Sequence, residues 1–274
     1  MITINWDPVV HLGPIPINWY GLGWAMAFMA ALWLVRRWTP RSGLAAEHVE
    51  NLAIWSLAGA FAGARLYFIA QNDPMSYLLQ PWRMLAVWEG GLAFFGGLFG
   101  AILAAFVYAR RHAVPFARAA DLFAPAIPIA GAIGRIPCFL AGMDYGTPTA
   151  LPWSVEYTNP AGYAPIDGVS RHPVQVYELL GDLAIAGVLL RLRGRLPNGV
   201  LFVSYLISFS LLRFSLFFVR GDVPAVALGL TNGHWTALAL LAVAVVMLAG
   251  MMIVNRRGRR HGHANASVAE GRVP

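Results

Sequence analysis

The sequence has no lysine, a single cysteine and few charged residues of either sign. All twenty basic residues are arginine, and Cys138 has no second cysteine with which to form an internal disulfide. Only 12% of the residues are charged, against about 25% in soluble domains. The sequence also shows no cluster of metal-ligating residues and no glycine-rich nucleotide loop, so we expect no metal and no other cofactor. These absences argue against a soluble domain, a disulfide scaffold and a nucleotide-dependent enzyme.

Hydrophobic residues are abundant instead, at 58% of the chain, and they fall in apolar stretches. Stretches of about 20 residues are long enough to cross a bilayer. We therefore predict an all-α polytopic membrane protein with seven transmembrane helices. Their approximate ranges are 18–38, 48–70, 90–109, 120–140, 174–192, 199–219 and 234–254. The N-terminus carries no basic segment, so we expect no cleaved signal peptide.

The arginines between these segments indicate the direction of each helix. Thirteen lie in one alternating set of connections and only three, Arg83, Arg171 and Arg220, lie in the other. Because cytoplasmic loops are enriched in basic residues, the N-terminus is predicted outside and the C-terminus in the cytoplasm. Residues 1–254 are predicted to form one membrane domain. The basic segment 255–274 is predicted to be a disordered tail against the anionic inner leaflet, and nucleic acid is not an expected partner.

Two connections on the outer side have a composition of their own. The longest, about 141–173, is rich in proline, glycine and tyrosine, and we expect a small folded head between helices four and five. The segment 71–85 places Tyr77 and Trp82 where aromatic side chains favour the membrane interface. It is predicted to lie flat as an amphipathic arm.

The costly polar residues all fall in the outer half of the predicted bilayer, except Asp121. A charged residue within a span costs about 2.5–3.5 kcal/mol and usually faces a partner or a cavity. The residues concerned are Arg65, Glu89, Arg135, Glu178, Arg213 and Arg220. Either they pair with one another only to fix helix register, or they line a polar chamber. We expect an excess of arginine that an anionic phospholipid head group balances, since guanidinium groups suit phosphate.

Small residues near these charges have two possible roles. "GAFAGA" (59–64) and "GGLFG" (96–100) have the spacing that lets helices pack closely, and packing alone explains the first of them. "GAIGRIPCFLAG" (131–142) differs, because Pro137 removes a helical hydrogen bond beside an intramembrane arginine. This segment is predicted to form the wall of a cavity.

Six segments together resemble the prolipoprotein diacylglyceryl transferases of bacterial inner membranes. They are "NWYG" (18–21), "GARLYF" (63–68), "EGGLAFFGG" (89–97), "GAIGRIPCFLAGMDYG" (131–146), "RHPVQVYE" (171–178) and "LLRFSLFFVRGD" (211–222). They occur in family order, with similar spacing, across the whole predicted membrane domain. The resemblance implies a multi-pass enzyme of the bacterial inner membrane that acts in lipoprotein biosynthesis.

The resemblance also implies a reaction and a set of site residues. Such enzymes transfer the diacylglyceryl group of phosphatidylglycerol, taken from the outer leaflet among the other membrane lipids, to the lipobox cysteine after a prolipoprotein signal peptide. Glycerol phosphate leaves. The residues implied in catalysis are Tyr20, Arg135, Arg213 and His172. Together with the depth argument above, the resemblance leads us to expect that phosphatidylglycerol is bound by Arg135, Arg213, Arg220, Arg65, Glu89, Gly96, Gly97, Gly146, Gln175, Tyr177 and Glu178.

Several positions depart from the family pattern. The third-helix motif usually reads G-G-x-x-x-H-G-G, and its histidine is a proposed general base, but Phe95 stands there. In the signature G-R-x-x-N-F-x-N-G-E, the two asparagines are Cys138 and Ala141, and the acid is Met143 with Asp144 next to it. The acid usually found between the two helix-six arginines is Phe217. The phosphate-side arginines are thus kept, while the base and several polar groups are replaced.

Three hypotheses account for this pattern. The chain is a working diacylglyceryl transferase in which His172 or Asp144 replaces the missing base. Alternatively, it is a related membrane transferase with another acceptor, in which Cys138 acts as a nucleophile near positive charge. Cys138 is more simply explained as a small buried residue. The third hypothesis is a non-catalytic phospholipid-binding homologue.

Overall fold

The computed structural model describes residues 2–12, 15–72, 74–85, 91 and 93–270, with backbone alone for residues 11, 12, 15–17, 71, 74, 78, 85, 94, 95 and 254–270. Helices account for 67% of the structure. In chain order the elements are β1 (Ile2–Ile4), β2 (Val9–Leu12), β3 (Ile15–Asn18), α1 (Trp19–Trp38), α2 (Ala46–Gln71), α3 (Pro74–Leu79), α4 (Phe94–Arg111), α5 (Phe116–Phe123), α6 (Ala126–Ala141), β4 (Val155–Tyr157), α7 (Val174–Leu192), α8 (Val200–Phe217), β5 (Ala225–Ala227), β6 (Leu230–Thr231) and α9 (Asn232–Glu270).

Each of the seven predicted segments contains a helix, and among the described residues four helical stretches are long and apolar enough to cross a membrane. These are Ala46–Ala70, Phe116–Ala141, Val200–Phe217 and Asn232–Ile253. The predicted membrane protein is therefore supported, while the count of seven spans and their direction stay predictions. In α7, two acids and an arginine lower the hydropathy of a helix that is otherwise apolar.

The chain forms two compact units, residues 1–31 with 123–274 and residues 32–122. In the first unit α6 packs on α7, α7 on α8, and α8 on α9. In the second unit the main contact is between α2 and α4. The single domain expected over residues 1–254 stays a prediction. Disorder of the tail also stays a prediction, and its expected start at residue 255 falls inside α9.

The α2–α4 contact of the second unit depends on glycine. A Cβ atom at Gly59 would lie 2.5 Å from Ala104 Cβ, and one at Gly100 would lie 2.9 Å from the Cα atom of Gly63. Gly96 is buried against the backbone of Gly63 in the same way. The packing interpretation of "GAFAGA" is thus confirmed, and the glycines of "GGLFG" belong to the same contact.

Arg65 connects α2 to the arm that follows it. Its guanidinium donates hydrogen bonds to the carbonyl oxygens of Arg83 (2.6 Å), Met84 (3.1 Å) and Gly91 (3.1 Å). The Tyr77 ring lies 5.6 Å from the Arg65 guanidinium. The arm itself is helical in α3 and in a 3₁₀ turn over Pro81–Leu85. Arg65 therefore holds this segment against α2 through main-chain oxygens.

The segment between α6 and α7 is folded, as expected for a small head. Strand β1 pairs in parallel with β4, placing Ile2 opposite Val155 and Ile4 opposite Tyr157. Ile4, Val155, Tyr157 and Ala164 form a small buried core beneath this pair. Two antiparallel strand pairs, β2 with β3 and β5 with β6, add more short strands to a fold predicted as all-α.

Candidate active site

The signature segment folds as α6 and the turn after it. The helix continues through Pro137 to Ala141, and Gly142 ends it in the left-handed conformation with φ of 72°. Asp144 also has a positive φ, of 56°, which aspartate tolerates better than most residues. This turn directs the chain back, so that Asp144 contacts Arg135 on the helix that precedes it.

A buried polar face runs along α7. Gln175, Glu178 and Asp182 lie at helical spacing on one side of the helix and are only 1–2% exposed. The Gln175 amide donates a hydrogen bond to the carbonyl of Met143. Three buried polar side chains in one row require partners on the neighbouring helices.

Glu178 joins α6 to α8. Its Oε1 atom lies 2.9 Å from Nη2 of Arg135 in an ion pair and accepts a hydrogen bond from Nη1 of Arg213 at 2.5 Å. Because Glu178 is buried, these two guanidiniums are its main source of compensation for lost solvation. Sequence reasoning predicted all three residues, and the structure brings them together.

Asp144 extends the network toward the end of α8. Its Oδ2 atom lies 2.5 Å from Nη1 of Arg135, and its Oδ1 atom lies 2.8 Å from Nη2 of Arg220. Arg220 also donates from Nε to Asp222 at 2.8 Å. We call these six residues the arginine cluster: Arg135, Asp144, Glu178, Arg213, Arg220 and Asp222.

The arginine cluster is balanced in charge. Its three guanidiniums contact three carboxylates, and every member has at least one partner of opposite sign. The excess of arginine expected from the sequence is therefore not found among these residues. Asp222, two positions after Arg220, supplies the third carboxylate, and it was not among the residues predicted from the sequence.

Asp144 also accounts for one departure from the family pattern. The resemblance places an acid at 143, where this chain has methionine, and the acid one position later contacts both arginines. Burial raises the pKa of Asp144, but the Arg220 and Arg135 guanidiniums outweigh burial and hold it below its usual range. Asp144 is consequently a poor candidate for the missing general base.

Phe217, the last residue of α8, lies near both Arg213 within the helix and Arg220 beyond its end. Its ring centroid lies 4.9 Å from the Arg213 guanidinium and 5.0 Å from that of Arg220. An aromatic face attracts a cation, so Phe217 supports both guanidiniums where the resemblance implies an acid. The phenylalanine preserves the spacing of the two arginines without adding a charge.

Substituting Asp144 with asparagine should lower stability in a pH-dependent way. The pKa of Asp144 is depressed in the folded protein, so its stabilising effect is complete above the unfolded pKa of about 3.9. This effect is lost as the pH falls through the lower, folded pKa. We expect the melting temperature of Asp144→Asn in detergent to lie below that of the wild type at pH 7, with the two curves converging in acid. A constant difference at every pH would contradict this assignment.

Two glycines of "GAIGR" make room for side chains of the same unit. A Cβ atom at Gly131 would lie 2.6 Å from Oδ2 of Asp182, and one at Gly134 would lie 3.2 Å from the Trp24 ring. Gly131 thus allows a carboxyl group against α6, one turn away from Arg135. The predicted cavity wall is, at this point, a close contact between helices.

Tyr20 lies close to the arginine cluster from the start of α1. The side chain of Asn18 accepts the Tyr20 backbone N–H at 2.8 Å, which caps the helix. The phenol lies within electrostatic range of Cys138, Asp144 and Arg135. The structure therefore places this predicted catalytic residue in the same region as the predicted arginine.

His172 and Tyr177 belong to a different set of contacts. The Trp153 indole donates to the Tyr177 hydroxyl at 2.7 Å, and that hydroxyl lies 3.2 Å from Nδ1 of His172. Tyr177 also lines an apolar cavity of about 400 Å³ together with Phe139 and Leu180. The hydrogen bonds described for the His172 ring thus connect it through Tyr177 to Trp153 and not to Glu178.

Gly146 is required by close packing. A Cβ atom there would lie 2.9 Å from Val174 Cγ2 and closer still to His172. The backbone of Gly146 forms a bridge with that of Arg220. Gly146 thereby ties the end of the signature to the last arginine of the cluster.

Cys138 has the surroundings of a structural residue. It is 2% exposed, and its thiol donates to the Gly134 carbonyl one turn earlier, with a sulfur–oxygen distance of 3.3 Å. Buried thiols bonded to their own helix are typically inert. This geometry favours the simple interpretation over a covalent nucleophile.

The remaining predicted residues lie in the second unit or outside the described part of the chain. A Cβ atom at Gly97 would lie 3.4 Å from the carbonyl oxygen of Ala60 and from Ala64 Cβ. The lipid-binding roles of Arg65, Gly96 and Gly97 stay predictions. Glu89 and the side chain of Phe95 lie outside the described residues.

Comparison with known proteins bears directly on this site. Residues 8–250 match the family model described as prolipoprotein diacylglyceryl transferase. A phosphatidylglycerol–prolipoprotein diacylglyceryl transferase of Geobacter sulfurreducens is 38% identical, over 92% of this chain and 96% of that protein. An enzyme of the same name from Cupriavidus metallidurans is 34% identical, over 90% of this chain and 94% of that protein. Another, from Nitratidesulfovibrio vulgaris, is 33% identical, over 94% of this chain and 97% of that protein. The resemblance read from six segments is confirmed along nearly the whole length, and the chain belongs to the prolipoprotein diacylglyceryl transferase family.

Proposed function

We propose that this membrane protein transfers the diacylglyceryl group of phosphatidylglycerol to the lipobox cysteine of prolipoproteins. The observation that carries the proposal is the arginine cluster, which holds three guanidiniums around Glu178 and Asp144. The names of the relatives support the donor and the acceptor. The chain acts as a multi-pass protein of the bacterial inner membrane, with phosphatidylglycerol entering from the outer leaflet and the signal peptide presenting its cysteine there.

The arginine cluster has donors available for a phosphate group. A guanidinium carries five N–H groups, and the hydrogen bond described for Arg213 uses only one on Nη1. The side chains of Asp144 and Arg213 are 28% and 19% exposed, so this edge of the cluster is accessible. A phosphate can compete with Asp144 for the same donors. Charge that develops on the departing glycerol phosphate is then stabilised by groups already in position.

The thiol of the acceptor must lose its proton before it attacks. A free thiol has a pKa of about 8.5, so modest assistance is sufficient at neutral pH. Phenylalanine at position 95 cannot accept that proton, and Asp144 is held as an ion by two arginines. The proton therefore goes to another group of this chain.

The test is transfer to a lipobox peptide in phosphatidylglycerol liposomes that contain the purified protein. We expect a thioether-linked diacylglyceryl peptide by mass spectrometry, and none from a peptide with serine in place of the lipobox cysteine. The variant Phe95→His, which restores an imidazole, should raise the rate, since general bases contribute about 10²–10⁴-fold. Absence of product, with a family enzyme active in parallel, would refute the transferase assignment.

The apolar replacements at Phe95 and Phe217 favour a second candidate, a homologue that binds phosphatidylglycerol without turning it over. Such a protein would be protected against thermal unfolding by phosphatidylglycerol and would form no product. If Arg135→Ala and Arg213→Ala kept that protection unchanged, the arginine cluster would not be the lipid site.

A further inference from the structure

The polar face of α7 ends in a carboxyl group with an unusual environment. Asp182 is 2% exposed, and its Oδ1 atom has no hydrogen-bond partner among the residues that the structure describes. The other oxygen faces Gly131, where the absence of a side chain leaves room for it. A buried carboxylate oxygen without a donor is costly unless it holds a proton.

Asp182 differs in this respect from the acids of the arginine cluster. Glu178 and Asp144 each contact two guanidiniums, and Asp222 contacts one. In the described part of the chain Asp182 forms no ion pair. An adjacent guanidinium favours the charged form of a carboxyl group, so the acid without one binds a proton most readily.

The groups around Asp182 come from three helices. Glu178 lies one turn away on α7, and Arg135 of α6 and Arg213 and Tyr205 of α8 lie within electrostatic range. The negative charge of Glu178 favours protonation of Asp182, while the positive charges of the two arginines oppose it. Proton uptake at Asp182 is therefore coupled to the charge of the arginine cluster.

We propose that Asp182 is the proton-holding group of this polar face and that, during transfer, its ionised form takes up the proton of the acceptor thiol. The second part rests on the proposed function. The S–H bond breaks and its proton ends on Asp182. The thiolate then forms a bond to the glyceryl carbon of phosphatidylglycerol. The bond from that carbon to the phosphate oxygen breaks, its electron pair leaves with glycerol phosphate, and the proton on Asp182 passes to that group or to water.

The kinetic test compares three variants in the liposome assay. Asp182→Asn keeps the shape but cannot take up a proton, so we expect the rate to fall about 10²-fold. The residual activity should lack the fall in rate that the wild type shows in acid. Asp182→Glu should recover most of the rate. Ser210→Ala, which removes an equally buried hydroxyl bonded to its own helix, should behave as the wild type.

A second measurement needs no turnover. In infrared difference spectra of the protein in bilayers, the carbonyl band of a protonated buried carboxyl group should appear as the pH falls. This band should be absent from Asp182→Asn and present in Ser210→Ala. If the wild type shows this band but transfers no diacylglyceryl group, the proposed function is overturned and Asp182 remains the proton-holding group. The inference would be overturned if Asp182→Asn kept the band. It would also be overturned if Asp182→Asn kept the wild-type rate together with its decrease in acid.

Discussion

Arg135→Ala is expected to reduce diacylglyceryl transfer by about 10²–10³-fold, the usual effect of removing a donor that stabilises developing charge. Arg135 is the residue that contacts both Asp144 and Glu178, so its loss also leaves two acids with one guanidinium each. Initial rates in phosphatidylglycerol liposomes measure the first effect. The loss of lipid-dependent thermal protection measures the second.

Two further variants separate charge from geometry. Arg135→Lys keeps the positive charge but loses the planar fork that binds two acids at once, so it should remain strongly impaired. Arg36→Ala removes an arginine from an exposed pair with Glu50 and should leave transfer unchanged. Full activity in Arg135→Ala would mean that the arginine cluster is structural and that phosphate binds elsewhere.

Glu178→Gln is expected to be the most destabilising conservative substitution in the cluster. Glu178 is buried and compensates two guanidiniums through one oxygen. Removing one partner from a buried ion pair costs about 3–5 kcal/mol. At about 2–4 °C per kcal/mol for a chain of this size, the melting temperature should fall by roughly 10 °C.

Glu50→Gln is the matched control for that measurement. Glu50 pairs with Arg36 at 2.8 Å, but the two side chains are 36% and 54% exposed. Exposed pairs contribute about 0–1 kcal/mol, so this melting temperature should change by only a few degrees. Equal shifts in Glu178→Gln and Glu50→Gln would show that Glu178 does not hold α6 to α8.

The helices and four residues of the cluster follow from the sequence because they depend on local rules. Apolar runs predict helices, and the alternation of arginine-rich connections predicts depth. Depth alone places Arg135, Glu178, Arg213 and Arg220 together. Which acid faces which guanidinium depends on side-chain direction, which no spacing in the sequence encodes.

The features that sequence reasoning missed are those set by turns and loops. Asp144 reaches two arginines because the chain reverses after Gly142 with a second left-handed residue. Arg65 lies at the predicted outer depth, yet it donates to main-chain oxygens because the arm folds back on α2. Asp222 completes the charge balance from a loop beyond α8.

The central claim is that the arginine cluster supports group transfer from phospholipid to thiol. The most direct test measures both products of one reaction, thioether-modified lipobox peptide and glycerol phosphate, formed by the wild type and by Arg213→Ala in phosphatidylglycerol liposomes. We expect equal amounts of the two products from the wild type and a large loss of both in the variant. Glycerol phosphate without modified peptide, or no product from the wild type beside an active relative, would contradict it.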